Sequence, residues 1–228
     1  MKLVFTCEHG GNKIPETYQS LFVNAKDTLN SHRGIDFGSL DLFVFCKSLS
    51  DFSKSNTVSR LLIELNRSKH HPKLFSEFTS LLNVDNKLKL IDEIYDPYRD
   101  KIEEEIGKFI SKGEKVIHIS FHSFTPVLNG KIRRADIGLL YDPSRNSEKL
   151  ICKKLKQNLK AELPDFNIRY NYPYLGTADG FTTYLRKKFP NNYTGIELEI
   201  NQKYVEEKMF SQKIKSAVFN SLLELKRD

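Results

Sequence analysis

Two histidines, His9 and His122, each stand at the end of a short apolar run of the kind that forms a buried strand. The first run covers residues 2–7 and the second covers residues 116–121. In an open sheet covered by helices, ligands and catalytic groups collect just beyond the carboxyl ends of the strands. Two imidazole groups that reach this edge from separate strands predict a metal site or an acid–base site.

Two glutamates, Glu197 and Glu199, alternate with leucine and isoleucine, so both side chains face the same side of a predicted strand. Two carboxylates on one face are costly unless they are paired with cations, bound to a metal or catalytic. One of them would have its pKa raised by the other and could transfer a proton. We interpret both as candidate catalytic residues, with lysine pairing on an edge strand as the alternative.

Three further polar groups stand beside predicted strand ends or helix starts. Asp36 precedes an amphipathic helix, where it is either the N-cap or a metal-binding carboxylate. The pair Asn66 and Arg67 follows an apolar run, and an arginine fork binds a carboxylate through two charge-assisted bonds. A structural ion pair is the alternative for this arginine. The loop 171–180, which contains Tyr174, would supply hydroxyl donors and aromatic walls to a substrate.

The composition of the 228-residue chain is that of an ordinary globular protein, with 39% hydrophobic and 29% charged residues. No window approaches the roughly 18 uninterrupted apolar residues of a membrane span, so we expect no membrane partner. Glu8 lies too close to the start for a signal peptide, which predicts a cytoplasmic protein. The three cysteines form no CxxC pair and predict free, buried thiols.

The net charge of +7, from 36 basic and 29 acidic residues, raises the question of nucleic-acid binding. The lysines are spread along the chain, and no RNP-type aromatic motif or helix-turn-helix pattern accompanies them. We therefore interpret them as a solvated surface and expect no nucleic-acid partner. A small anionic substrate fits the same charge. The oligomeric state is not indicated by the sequence.

Short apolar, β-branched runs alternate with longer amphipathic stretches, which indicates an α/β layered fold. We expect one domain over residues 1–228, with an excursion over the active-site face at residues 68–97. The predicted strands cover residues 3–7, 57–65, 115–121, 137–141, 167–170 and 194–200. The predicted helices cover residues 37–48, 98–111, 148–162, 180–188 and 211–227.

Taken together and in order, five segments resemble the N-formylglutamate amidohydrolase family. They are Glu8-His9-Gly10-Gly11, Gly34-Ile35-Asp36-Phe37-Gly38, Leu65-Asn66-Arg67, His122-Ser123-Phe124-Thr125-Pro126 and Glu197-Leu198-Glu199-Ile200-Asn201. The resemblance covers nearly the whole chain. It implies a zinc-dependent hydrolase with a phosphorylase/hydrolase-like fold, in which helices cover both faces of a mixed sheet to give three α/β/α layers. Zinc carboxypeptidases and aspartoacylases share this layout.

Relatives with this layout carry a metal-binding histidine, a metal-binding acid, an Asn-Arg pair, a second metal-binding histidine and a catalytic glutamate. The residues that stand in this order here are His9, Asp36, Asn66-Arg67, His122 and Glu199. Carboxypeptidase-like sites place a glutamate ligand three residues after the first histidine, where this chain has Asn12. The acid ligand of the one Zn²⁺ expected per chain is therefore Asp36, or alternatively Glu8.

The resemblance implies a reaction in which zinc activates a water molecule and Glu199 moves its proton to the leaving nitrogen. Glu197 would adjust Glu199 or hold a neighbouring donor. Asn66 and Arg67 would bind the carboxylate of a small N-acyl amino acid such as N-formylglutamate. Arg134, or its neighbour Arg133, would bind a side-chain acid or the oxyanion, and Tyr174 would contact the substrate.

Two other classes of function stay open at this point. One is a deacylase or peptidase for a different N-acyl amino acid or small peptide. The other is a non-catalytic module that binds an anion or nucleic acid.

Overall fold

The apolar runs of the sequence form the centre of a six-stranded sheet in the computed structural model, which describes residues 1–227. The strands are β1 (Lys2–Cys7), β2 (Phe52–Ser55), β3 (Val116–Phe124), β4 (Val127–Leu128), β5 (Lys131–Ile132), β6 (Ile137–Leu140), β7 (Ile168–Tyr170), β8 (Tyr193–Asn201), β9 (Val205–Glu206) and β10 (Met209–Phe210). The α-helices are α1 (Lys26–Leu29), α2 (Ser39–Cys46), α3 (Val84–Leu90), α4 (Asp96–Ser111), α5 (Asn146–Glu162), α6 (Phe181–Lys188) and α7 (Gln212–Arg227).

The main sheet has the strand order β2-β1-β3-β8-β6-β7. Strands β2, β1, β3 and β8 run parallel, whereas β6 is antiparallel to β8 and parallel to β7. The carboxyl ends of β1, β3 and β8 therefore lie side by side at one edge of the sheet. This arrangement confirms the predicted mixed sheet and brings three polar segments of the sequence together.

The two faces of the sheet carry separate cores because side chains alternate along each strand. On one face, Phe5 of β1 and Ile119 of β3 pack with α2, α5 and α7. On the other face, Val4 of β1 and Tyr193 of β8 pack with α4 and α6. The predicted three-layer arrangement is thus confirmed. The second face also carries the polar side chains of the site, so its core is interrupted near the carboxyl edge.

One predicted strand, residues 57–65, is wrong. The strand beside β1 is instead β2, and residues 57–65 form turns with a single bridge between Val58 and Lys13. Its apolar side chains, among them Leu62 and Ile63, fill the second core without joining the ladder. An apolar run indicates that a segment is buried, but burial alone does not distinguish a strand from a packed turn.

The segment 68–97 contains helix α3, which continues through the π-helical turn Ile91–Tyr95 into α4. It contributes Leu74, Leu90 and Tyr95 to the second core. Its role as an active-site excursion stays a prediction, as does the single domain over residues 1–228. No helix within residues 1–227 has the length and apolar character needed to cross a membrane.

Candidate active site

The strand register brings the predicted residues to one place at the carboxyl edge of the sheet. His122 in β3 pairs directly with Glu199 in β8, and His9 follows the end of β1 by two residues. Asp36 reaches the same place from the turn before α2, and its backbone N–H donates to the carbonyl of His9 at 3.0 Å. A Cβ at Gly11 would lie 2.3 Å from the carbonyl oxygen of Thr57, so only glycine allows the two backbone segments to approach this closely.

His9, Asp36 and His122 form a buried cluster. Oδ2 of Asp36 lies 3.2 Å from Nδ1 of His9 and 2.9 Å from Nδ1 of His122. The two imidazole rings are 4.9 Å apart between centroids. One ligand atom from each residue lies within 4.8 Å of the others, which is the spacing needed to share one metal ion.

The Nε2 atom of each imidazole contacts a second carboxylate. Nε2 of His9 contacts Oε1 of Glu64 in a short hydrogen bond. Nε2 of His122 lies 3.3 Å from Oε2 of Glu8 and 2.9 Å from Oγ of Ser120, whose hydroxyl donates to Glu8 at 2.5 Å. Metal-binding histidines commonly donate their second N–H to a carboxylate, which leaves the first nitrogen free to coordinate. The donor set therefore fits a divalent cation coordinated through the two Nδ1 atoms.

The charges around this cluster favour a cation. Burial alone would raise the pKa of Asp36, but the charges of His9 and Arg60 and hydrogen bonds from both histidines hold it well below its usual value. For Glu8, burial is likewise outweighed by His122 and Ser120, which lower its pKa to about 2. Burial alone would lower the pKa of His9 and His122, yet the surrounding carboxylates raise both.

Arg60 is part of this network although it is absent from the sequence prediction. Its guanidinium Nη1 lies 3.2 Å from Oδ1 of Asp36, and Nη2 lies 2.5 Å from Oε2 of Glu64. The predicted strand over residues 57–65 would have placed Arg60 and Glu64 about 13 Å apart. The turns that replace this strand bring the two side chains into contact. The ion pairs of Arg60 with Asp36 and with Glu64 could therefore not be inferred from strand periodicity.

The two candidate catalytic glutamates lie in different environments. Glu199 is only 4% exposed, and its Oε2 has no hydrogen-bond partner within residues 1–227. Burial is the main reason that the pKa of Glu199 rises to about 7, helped by the charges of Asp36 and Glu197. Glu197 is half-buried, and its Oε1 accepts a hydrogen bond from the Thr182 hydroxyl at 2.8 Å. Glu199 is therefore the glutamate whose unpartnered acceptor atom is buried.

Asn66 and Arg67 line the same cavity as the cluster. Oδ1 of Asn66 accepts from the N–H of Phe181 at 2.7 Å and so caps helix α6 from another segment. The Arg67 guanidinium donates to the backbone carbonyl of Asp179 in a short hydrogen bond. No carboxylate within residues 1–227 forms an ion pair with Arg67.

The cavity has a volume of about 180 Å³ and opens beside the carboxyl edge of the sheet. It is lined by His9, His32, Asp36, Arg60, Asn66, Arg67, His122, Ser123, Phe124, Thr125, Tyr174, Leu175, Ala178, Asp179, Glu197 and Glu199. Tyr174 is thus at the cavity as predicted, but Arg134 is not. The Arg134 side chain is exposed, whereas the guanidinium of Arg133 packs 5.0 Å from the ring of Tyr174.

Comparisons with known proteins agree with this architecture. A family model described as N-formylglutamate amidohydrolase matches residues 1–205. No curated protein gives a significant sequence match.

Two solved structures share the fold. A gene product of Agrobacterium tumefaciens has a TM-score of 0.78 and 23% identity, covering 100% of this chain and 92% of its own. An N-formylglutamate amidohydrolase from Ralstonia eutropha JMP134 has a TM-score of 0.77 and 17% identity, covering 100% of this chain and 93% of its own.

Proposed function

Because this chain belongs to the N-formylglutamate amidohydrolase family, we propose that it hydrolyses the amide bond of a small N-acyl amino acid. N-formylglutamate is the first candidate substrate. One observation carries the proposal: a compact His9–Asp36–His122 cluster stands beside the buried carboxylate of Glu199, which has a free acceptor atom. A cluster of this kind beside an available proton acceptor is what metal-assisted hydrolysis requires.

His9, Asp36 and His122 would hold one divalent cation per chain, and zinc is the first candidate. Catalytic zinc sites use about three nitrogen or oxygen ligands from the protein and keep one position open. A cation bound there supplies Lewis-acid chemistry, which acidifies a water molecule and polarises the substrate carbonyl. Glu64 and Glu8 would fix the two imidazole rings through their Nε2 atoms, and Arg60 would hold Asp36 and Glu64 in place.

Glu199 would act as the proton carrier. Its Oε2 accepts a proton from the attacking water as the water oxygen bonds to the acyl carbon. The same oxygen then donates that proton to the amide nitrogen while the C–N bond breaks. The products are a carboxylic acid and a free amino acid, which are formate and glutamate for N-formylglutamate. A carboxyl group whose pKa is raised to about 7 is suited to both halves of this transfer.

Arg67 and Asn66 would bind the α-carboxylate of the substrate. The guanidinium of Arg67 has no carboxylate partner within the described part of the chain, and the oxygen of Asn66 is occupied by the N–H of Phe181. The amide nitrogen of Asn66 is then the group that can donate to an anion. Glu197 would fix the start of α6 next to Asn66 by accepting the hydrogen bond from the Thr182 hydroxyl.

The experiment is hydrolysis by the purified protein, first treated with a chelator and then reloaded with zinc. We expect the reloaded protein to release formate and glutamate from N-formylglutamate in equal amounts, and the chelated protein to be inactive. N-acetyl and N-succinyl amino acids in the same assay identify the preferred acyl group. Zinc-loaded protein that hydrolyses none of these compounds would contradict the proposal. The cytoplasmic location stays a prediction.

A further inference from the structure

Arg99 of α4 carries a positive charge into the interior of the protein. The residue is only 5% exposed, and no carboxylate within residues 1–227 forms an ion pair with it. A buried cation without a carboxylate partner is costly, and an apolar side chain of similar length would fill the same space without that cost. The contacts of the guanidinium therefore indicate what the charge is used for.

Three aromatic rings surround the guanidinium of Arg99. Its carbon atom lies 4.2 Å from the centroid of the Phe181 ring and 4.9 Å from the centroids of the Tyr95 and Tyr184 rings. A cation near the face of an aromatic ring is attracted to it, so these rings offset part of the cost of burial. They also restrict the guanidinium to one place between α4 and α6.

The hydrogen bonds of Arg99 reach the backbone on both sides of Asn66. Its Nη1 donates to the carbonyl of Leu65 at 2.9 Å and to the carbonyl of Arg67 at 3.1 Å. The carbonyl of Arg67 also accepts a hydrogen bond from the Tyr95 hydroxyl at 2.6 Å. Asn66 and Arg67 line the active-site cavity, whereas Arg99 does not. Arg99 therefore holds the backbone of two cavity residues from behind.

The side chains of Asn66 and Arg67 are held from a different direction, by the start of α6. Oδ1 of Asn66 accepts from the N–H of Phe181, and the Arg67 guanidinium donates to the carbonyl of Asp179. Since the ring of Phe181 also contacts Arg99, one cation connects α4, α6 and residues 65–67. Loss of this cation would free the backbone of Asn66 and Arg67 to move relative to the cavity.

We propose that Arg99, together with the Tyr95 hydroxyl, is a positioning residue for Asn66 and Arg67. It acts through the Leu65 and Arg67 carbonyls and touches no reacting atom. The inference rests on the proposed function, in which Asn66 and Arg67 bind the α-carboxylate of the substrate. Loss of the Arg99 and Tyr95 contacts should weaken recognition of this carboxylate and leave metal binding and proton transfer unchanged.

The test compares kcat/KM for N-formylglutamate and for its α-amide, which has nearly the same shape but lacks the α-carboxylate. We expect the wild-type protein to prefer N-formylglutamate by about tenfold to a hundredfold. Tyr95→Phe keeps the ring but removes one donor to the Arg67 carbonyl. This preference should then fall about twofold to tenfold, through a higher KM at wild-type kcat and zinc content.

Two substitutions of Arg99 extend the test. Arg99→Met should lower the preference further, towards equal hydrolysis of the two substrates. Arg99→Lys should recover part of it, because the ammonium group keeps the charge and can donate to a carbonyl. The matched control is Tyr184→Phe, which keeps a ring beside the guanidinium and removes a hydroxyl that donates to Glu103 at 2.7 Å. This control should keep the wild-type preference.

The outcomes separate positioning from a general effect on stability and from the function itself. A destabilised fold would lower hydrolysis of both substrates equally, and an equal loss of this kind in Tyr95→Phe would overturn the inference. The wild-type preference in Tyr95→Phe, or the same loss of preference in Tyr184→Phe, would also overturn it and leave the hydrolase function intact. A zinc-loaded wild-type protein that hydrolyses neither substrate would overturn the proposed function, and this inference with it.

Discussion

Nδ1 of His122 lies 2.9 Å from Oδ2 of Asp36, although the two residues are 86 positions apart in the chain. The contact joins a central strand of the sheet to the turn that begins α2. The backbone hydrogen bond from the N–H of Asp36 to the carbonyl of His9 fixes the same turn against the end of β1. The cluster is thus positioned by main-chain as well as side-chain contacts, which predicts a preorganised site whose parts can be tested one at a time.

The carboxylates of Glu64 and Glu8, which contact the Nε2 atoms of the two histidines, should control metal affinity. In Glu64→Gln and Glu8→Gln, the side chain keeps its shape but loses the charge that orients the histidine ring. We expect the affinity for zinc to fall about tenfold to a hundredfold in each variant. Competition with a chromogenic chelator measures this without any substrate.

The control for these variants is Glu77→Gln, which changes an exposed glutamate that pairs with Arg33. Its zinc affinity should equal that of the wild-type protein. Unchanged affinity in both Glu64→Gln and Glu8→Gln would contradict the role given to the Nε2 contacts.

Glu199→Gln should separate metal binding from turnover. The variant loses the proton acceptor but none of the three proposed ligands, so zinc content should stay at the wild-type value. We expect kcat to fall about 10²- to 10⁴-fold. Glu197→Gln should cost less, because Glu197 contacts Thr182 and its neighbour retains the free acceptor. Wild-type kcat in Glu199→Gln would remove Glu199 from the mechanism.

The rate should depend on pH through Glu199. This carboxyl must be ionised to accept a proton, so kcat/KM should rise as the pH increases through its pKa. Burial raises that pKa to about 7 in the metal-free protein, and a bound cation favours the ionised form. We therefore expect the midpoint of the zinc-loaded enzyme between about pH 5 and pH 7. A wild-type profile of kcat/KM that is flat between pH 5 and 8 would contradict this assignment. The residual activity of Glu199→Gln should not show the rise of kcat/KM with pH.

His118 should make the fold less stable at acidic pH. This buried ring lies 2.7 Å from both the Thr6 hydroxyl and the Tyr193 hydroxyl, and burial lowers its pKa to about 4. Between that value and the ordinary pKa of about 6.5, the unfolded chain binds the proton and the folded chain does not. Stability is therefore lost as the pH falls through this window.

The measurement is urea unfolding of the metal-free protein at pH 7.5 and pH 5.0. His118 should account for about 2 kcal/mol of the stability lost between these conditions. In His118→Gln the loss should be smaller by this amount, whereas the exposed-site control His70→Gln should behave like the wild-type protein. An equal loss in His118→Gln and the wild-type protein would refute the prediction.

The central strands and their polar ends could be predicted from the sequence. Apolar runs identify β3 and β8, and a period of two indicates which side chains of each strand share a face with His122 or with Glu199. The carboxyl-edge rule then brings the segment of His9 to the same place. The helices over 98–111, 148–162 and 211–227 are confirmed within two residues, because each carries a continuous apolar stripe.

The contacts made by turns could not be predicted in this way. β2 has the sequence Phe-Ser-Lys-Ser and lies at the sheet edge, so it lacks the apolar pattern that identifies a buried strand. Arg60 and Glu64 meet only because residues 57–65 turn rather than extend. Which of Arg133 and Arg134 contacts Tyr174 could not be predicted for a similar reason, since a loop has no periodicity that distinguishes two neighbours.

The most direct test of the account is the zinc content of the wild-type protein and of His9→Ala, His122→Ala and the double variant. We predict about one tightly bound zinc per wild-type chain, with loss of this zinc in each variant. His70→Ala, at an exposed position, should keep it. Full zinc occupancy in the double variant, at wild-type affinity, would contradict the proposed metal centre.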